Sequence, residues 1–240
     1  MYTEFLSDPF NAYGFHQQFG VHMYPMSRRR HEEERGSRAE QKQLTRQALL
    51  DGALRLLETR SFDGLSLREV TREVGLVPTA FYRHFESMDE LGLELVSDTT
   101  RTLRRMMRAA RDGGDETNII RRSVQTFVQY VQAHRAQFRF LLRERYGGAA
   151  TIRNTIGAEI RLFTSELATD LARQPAAAQW STEDLHMLAG LFVSTVLTAL
   201  EHILDSPRGP DLDAVARTTE RQLRLIVLGA LQWRSDAKPR

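Results

Sequence analysis

Thr79, Tyr82, Arg83 and His84 fall close together in the chain, interleaved with the aromatic pair Phe81 and Phe85. If the stretch is helical, Phe81 and Phe85 at i, i+4 share one face. Thr79, Tyr82 and Arg83 then occupy another face, with His84 near its edge. Thr79 can meet a base edge or a thymine methyl, and Tyr82 and Arg83 can donate to phosphates or guanine. Phe81 and Phe85 are expected to be core aromatics packed on Leu54 and Val70. Tyr82 points away from both and is not expected in the core. This is the chemistry of a nucleic-acid reader on an apolar support.

Other chemistry is sparse. A helical di-metal carboxylate site needs paired Glu-x-x-His motifs on facing helices, and the chain has one such spacing, Glu183 and His186. The glycine patterns of phosphate loops are absent, and no nucleophile-elbow context places a serine. With no cysteine in the sequence, disulfides, thiolate metal sites and cysteine nucleophiles are excluded. No metal or cofactor is expected, and the chain is not read as an enzyme. A second group of residues, Phe127, Tyr130, Phe138, Phe140 and Phe163, is an aromatic stripe that serves either as core or as a pocket wall.

The elements that must position these groups are helical. Leu50, Leu54 and Leu57, with Ala53 beside them, form an apolar stripe on a first helix. Ser66-Leu67-Arg68-Glu69 is a capping box that starts a short second helix, with Leu67, Val70 and Val74 inward. Gly75 ends it as a left-handed cap, and Pro78 suits the first position of a third helix reaching about Phe85. Two short helices joined tightly behind a longer one make a helix-turn-helix. The free amides and Ser66 hydroxyl at the start of the second helix offer a phosphate site.

A fourth helix, about Met88 to Arg111, carries Leu91, Leu95 and Leu103 inward and ends at Gly113-Gly114. Five more follow, roughly 117–134, 135–146, 149–174, 181–205 and 211–234, divided at Gly147-Gly148, Pro175 and Pro207 to Pro210. No strand signal competes. The expected class is all-α with about nine helices: a three-helix head and a helical ligand-binding and dimerisation body. The domains are a disordered tail over 1–36, a DNA-binding domain over 37–87 and the body over 88–235. Met26 is an alternative start. Arg28 to Arg30 could form a basic arm for a groove, although Glu32 to Glu34 follow directly.

The chain has 240 residues, a net charge of +2, 41% hydrophobic and 27% charged residues, an ordinary balance for a globular protein and no strong charge case for nucleic acid. Apolar runs are interrupted before the roughly 20 residues of a membrane span, and the N-terminus lacks a signal-peptide pattern. A cytoplasmic protein without membrane contact is expected. Leu185, Leu188, Ala189, Phe192, Val196, Leu200 and Ile203, with Leu223, Ile226, Val227, Ala230 and Trp233, offer apolar faces on the last two helices. These either form a homodimer seam or pack within one chain.

The run Leu67-Arg68-Glu69-Val70, Val74-Gly75-Leu76, Thr79-Ala80-Phe81-Tyr82-Arg83-His84-Phe85 and Glu90-Leu91 resembles the DNA-binding signature of the TetR family. The resemblance implies a dimer on double-stranded DNA at a palindromic operator, with Tyr82 and His84 at backbone-contacting positions and Thr79 and Arg83 at base- or backbone-facing ones. The chain departs from the pattern at Val77-Pro78, where a small residue is common, and at Met88, where a phosphate-binding lysine is common. Lys42 or Arg46 on the first helix can compensate. The DNA-facing set is therefore Lys42, Arg46, Ser66, Arg68, Pro78, Thr79, Ala80, Tyr82, Arg83 and His84.

Over about Arg38 to Ala172 the chain is also similar to the FabR and DesT type of repressor of unsaturated fatty-acid synthesis and desaturation, more to the DesT side. That similarity rests on Asp89 to Leu93, Leu103 to Arg111 and Leu141 to Gly147. It implies a long-chain acyl-CoA effector, sensed as unsaturated against saturated. Phe127, Phe138, Phe163 and Phe192, with Leu141, Leu142 and Leu167, would line the acyl tunnel. Arg143, Arg145, Arg153 and Arg161 would hold CoA phosphates at its mouth, or else are solvated surface charges. Another hydrophobic ligand, or a DNA-binding structural protein without one, fits the same fold.

Overall fold

The computed structural model describes residues 26–111, 118–177, 179–206 and 209–235, and every regular element among them is helical. The helices are α1 (Met26–Leu57), α2 (Leu67–Glu73), α3 (Pro78–Phe81), α4 (Met88–Arg111), α5 (Ile119–Ala133), α6 (Arg135–Glu144), α7 (Ala150–Ala172), α8 (Thr182–Asp205) and α9 (Pro210–Gln232). The all-α expectation holds. Two elements differ from expectation at their edges. Helix α1 reaches back to Met26, so residues 26–36, expected in a disordered tail, are helical; residues 1–25 lie outside the described set, as do Gly113-Gly114 and Pro207. The regular part of α3 stops at Phe81, beyond which Arg83 N–H bonds Ala80 O (3.3 Å) in the tighter i, i+3 manner and the chain coils on to Phe85.

The described residues from Lys42 onward form one compact unit. One apolar cluster joins Leu49, Leu54, Val70, Phe81 and Phe85 of the head to Leu91, Val131, Phe138, Ile152, Ile203 and Leu223 of the body. A smaller cluster of Ala168, Ala177, Leu185 and Ala189 is covered by Leu167, Leu171 and Trp180. Helix α8 packs against α7 and α9, and α4 against α5 and α7.

Helix α8 is long and apolar enough to cross a membrane by length and composition (mean hydropathy 1.7), against the expectation that no run would be, and 39% of that stretch is buried. Its buried residues include Leu185, Leu188, Ala189, Leu200 and Ile203. The intrachain reading is therefore correct for them. The apolar side chains left exposed are Met187 and Leu191 on α8, and Leu225, Leu228 and Leu231 on α9, with Trp233 after it. Ser181 caps α8 by accepting from Asp184 N–H (3.1 Å). After α9, Ser235 accepts from Ser181 N–H (2.8 Å) and donates to the Asp184 carboxylate.

Candidate nucleic-acid interface and ligand cavity

The head is built from local signals. Ser66 Oγ accepts from Glu69 N–H (3.3 Å) and Ser66 N–H donates to Glu69 Oε2 (3.0 Å), closing the capping box. The hydroxyl also donates to Glu69 Oε2 (2.7 Å), and Arg60 pairs with the same carboxylate. These hydrogen bonds from Ser66, then that from Arg60, hold the Glu69 carboxyl down at about 2. A fixed negative charge thus stands at the start of α2, and the Ser66 hydroxyl is committed to the cap. Ser66 is therefore a structural residue of the head, its hydroxyl engaged with Glu69.

The turn is equally determined. Gly75 has φ +69°, and Leu76 N–H reaches Thr71 O (2.8 Å) while Gly75 N–H reaches Arg72 O (3.2 Å). That is the paired closure of a helix end that a left-handed residue permits. Val77 is extended (φ −81°, ψ 149°), as the residue before a proline must be. Gly52 lets α2 close in on α1, since a Cβ there would lie 2.5 Å from Val74 Cγ1.

Phe81 and Phe85 are buried, with ring centroids 5.5 Å apart. Tyr82 is 64% exposed and meets the edge of Phe81. Pro78, Thr79 and Arg83 are exposed as well, Ala80 is half-buried, and Arg68 and Arg72 are exposed at i, i+4 on α2. Sequence reasoning passed over Arg72, although its spacing from Arg68 was the available signal. Among the described residues Lys42, Arg68, Arg72 and Arg83 have no ion-pair partner, whereas Arg55 is paired with Glu73 (2.8 Å).

Arg46 does not stand free to replace the missing lysine. It pairs with Glu94 (3.1 Å) and its guanidinium lies 4.6 Å from the Phe85 ring centre. Lys42 remains exposed, and Met88 is half-buried against the core. His84 is half-buried, with Nδ1 shielded and unbonded within the chain. Its burial, then the charges of Lys42, Arg46 and Arg83, lower its pKa.

In the body, a cavity of about 100 Å³ lies between α4, α6, α7 and α8. Phe138, Leu141, Leu142, Arg145 and Phe163 line it as expected, together with Leu103, Ile156, Ile160 and Leu200. Six expected residues are elsewhere. Phe127 is buried in the core with its ring edge-on to Phe138, at 6.5 Å. Phe192 packs on the main core and Leu167 on the smaller cluster. Arg143 points away, donating to Leu57 O (2.9 Å), Glu58 O (3.2 Å) and Arg60 O (2.5 Å) at the end of α1. Arg153 donates to Gly147 O (2.5 Å) and Gly148 O (3.4 Å), and Arg161 is exposed on α7.

Arg145 apart, the charged groups of the cavity were missed from sequence. Arg104 on α4 pairs with Glu159 and stands 3.7 Å from Glu166, so that cation is already neutralised. Arg145 has its guanidinium 5.1 Å from the Tyr146 ring centre, and no acid pairs with it among the described residues. It is the cavity cation available to an anionic ligand.

Among the described residues no group of three or more His, Asp or Glu converges as a metal site. His186 instead bonds Thr182 O through Nδ1 (2.9 Å).

Two family models match the chain. "Bacterial regulatory proteins, tetR family" covers residues 49–95, and "Tetracyclin repressor-like, C-terminal domain" covers residues 116–229. The fold is similar to that of a transcriptional regulator from Aquifex aeolicus VF5 (TM-score 0.62, 16% identity, 76% of this chain and 99% of that one). It is also similar to the fatty acid degradation regulator FadR from Bacillus halodurans (0.63, 12%, 74% and 93%) and to SmeT in complex with triclosan (0.63, 16%, 82% and 98%).

Proposed function

The chain belongs to the TetR family of bacterial transcriptional regulators, with a DNA-binding head and a ligand-binding body, and we propose that it is a repressor controlled by long-chain acyl-CoA. On this reading a homodimer binds a palindromic operator in the cytoplasm and governs genes of fatty-acid desaturation or unsaturated fatty-acid synthesis. The observation that carries the DNA half is the exposed surface of Thr79, Tyr82 and Arg83 standing on buried Phe81 and Phe85. Arg68 and Arg72 extend it for phosphates. The exposed apolar residues of α8 and α9 supply the seam that joins two copies. A two-fold dimer reads half-sites about 34–36 Å apart.

The acyl half rests on the apolar wall of Phe138, Leu141, Leu142 and Phe163, with Arg145 beside it for an anionic head. The structural likeness to a fatty acid degradation regulator supports the same direction. At about 100 Å³, the cavity is smaller than the roughly 150 Å³ void that admits benzene. An acyl chain must therefore part α4, α7 and α8 to enter. That requirement suits a sensor, because a ligand shifts an equilibrium only through unequal affinity for two states. The same small volume favours, as a second reading, a more compact hydrophobe, and SmeT with triclosan shows such a ligand in this fold.

Mass spectrometry of ligands retained by natively purified protein separates the two, since it names the occupant. Operator binding followed by fluorescence anisotropy with oleoyl-CoA and palmitoyl-CoA then tests sensing. Opposite shifts support the proposal, and superimposable curves with and without both ligands overturn it.

A further inference from the structure

The first turn of α8 repeats that of α2 with one change. At α2, Ser66 N–H donates directly to the Glu69 carboxylate three positions on. At α8 the corresponding pair is Ser181 and Asp184, and Asp184 N–H again donates to the serine hydroxyl (3.1 Å). An aspartate is one methylene shorter than a glutamate, and the return bond of a capping box is made by Glu or Gln. Here a residue from beyond the end of α9 makes it instead. Ser235 Oγ accepts from Ser181 N–H (2.8 Å), and its hydroxyl donates to Asp184 Oδ2. Trp233 adds a side-chain hydrogen bond to the same carboxylate, and the indole N–H is the donor that a tryptophan side chain has. The bond from Ser235, ahead of those from Ser181 and Trp233, lowers the Asp184 pKa.

This closure lies where apolar residues stand uncovered. Because α9 ends where α8 begins, Met187 and Leu191 in the first half of α8 share that end of the body with Leu225, Leu228 and Leu231 in the second half of α9, and all five are exposed. At 100° per residue, Gly190 falls on the side of Met187 and Leu191, and Gly229 on that of Leu225 and Leu228. A Cβ at either glycine would meet nothing within 4 Å outside its own helix backbone. A mid-helix glycine is destabilising relative to alanine, and its use is to let another backbone come close. No element of the same chain comes close at these two positions, so the helix they admit belongs to a second copy. Trp233 stands at the rim of this face, 49% exposed, with its indole tied to Asp184. Its ring is thus presented in one orientation and does not swing on a free chain end.

We propose that Asp184 and Ser235 are positioning residues for Trp233, and that Trp233, fixed by them, anchors the face that takes a second copy of this chain. Tryptophan is enriched among the few residues that carry most of an interface's affinity. An anchor held in place beforehand has less side-chain freedom to lose on association. In a two-fold pairing each copy contributes the same patch, so the anchor occurs twice and a loosened clamp counts twice. The inference rests on the reading of the chain as a homodimer through α8 and α9, and it does not depend on the ligand or the operator.

The test is fluorescence-detected sedimentation of the full chain, labelled at its N-terminal amine, from nanomolar to micromolar concentration. Trp233→Ala is expected to raise the dimer dissociation constant by about 30-fold or more, as loss of an interface anchor does. Ser235→Ala should raise it by about 5-fold or more, the effect of one hydrogen bond. Asp184→Glu separates the clamp from the cap. It closes the box within α8, as Glu69 does in α2, so amide exchange at the start of α8 should stay slow. It also displaces Ser235, and should therefore weaken the dimer as much as Ser235→Ala does. In Trp180→Phe, which leaves Trp233 as the single tryptophan, emission should move to the blue as the dimer forms. If Trp233→Ala fails to fold, Trp233→Phe, which keeps a ring and drops the N–H, takes its place with an expected weakening of about 5-fold. A dimer whose dissociation constant stays within about twofold in the Trp233 and Ser235 variants overturns the proposal alone, as does Trp233 emission that is blind to dimer formation. A wild-type chain that remains monomeric throughout overturns the reading of the seam, and the anchor with it.

Discussion

The head corner and the body cavity solve opposite problems. In the head, polar groups are tied to partners close in sequence: Ser66 with Glu69, Arg60 with Glu69, Thr71 with Leu67 O (3.0 Å). In the cavity, residues as distant as Thr100 on α4 and Leu200 on α8 line one space, and the lining is apolar apart from Thr100 and a few charges. The head is thus a surface fixed by short loops of chain, and the cavity is a space left between long helices. Fixed local bonds suit a surface that must match DNA. A space with few bonds suits a wall that must yield.

The sharpest way to break this contrast is at the head's support. Phe81→Ala should cost about 3–5 kcal/mol in chemical denaturation, as full truncation of a buried aromatic does. A loss below about 1 kcal/mol would mean that α3 does not depend on its core side. In the cavity, Leu141→Ala should cost only about 2–3 kcal/mol, near the lower end for a buried leucine, since part of that side chain already faces empty space. It should also raise uptake of benzene, measured by NMR titration. A cost equal to that at Phe81 would erase the difference between the two regions.

Smaller effects refine the head alone. Arg83→Ala should weaken operator binding by about 1–3 kcal/mol if it reads a base. Arg72→Ala should lower the slope of log K against log salt by about 0.9 if it holds one phosphate. Anisotropy titrations at several salt concentrations distinguish the two. The smallest effect concerns pH. Glu69 has its folded value lowered from 4.5 to about 2, so its support for the α2 cap is complete above 4.5 and fades as pH falls toward 2. Exchange at the Glu69 amide, followed down that range, should accelerate; a flat profile would deny the cap its carboxylate.

Legibility in the sequence follows the same division. The capping box, Gly75 and Pro78 each act through their nearest neighbours, so the helix-turn-helix could be read residue by residue. The cavity could not. Phe127 and Phe138 look alike in the sequence, yet one is core and the other wall, because α7 and α8 decide which ring meets the void. Arg143 and Arg145 are two positions apart, and the sequence offers both alike as anion ligands. Their helical phase differs by about 200°, and that signal, if used, separates a grip on α1 from a cavity residue. The Arg104–Glu159 pair joins residues from different helices, and no local pattern announces it.

The continuous apolar cluster from Leu49 to Leu223 has one more consequence. Gly92 shows how tight the joint is, since a Cβ there would lie 2.5 Å from Phe62 Cζ and 2.6 Å from Ile152 Cδ1. A head that shares its core with the body has no autonomy: cut free near Met88, it would leave Phe62 and Leu57 uncovered. Transplanting this head onto a foreign body would therefore fail unless α4 and the end of α6 travelled with it, and the smallest portable reader in this molecule extends well past the segment that touches DNA.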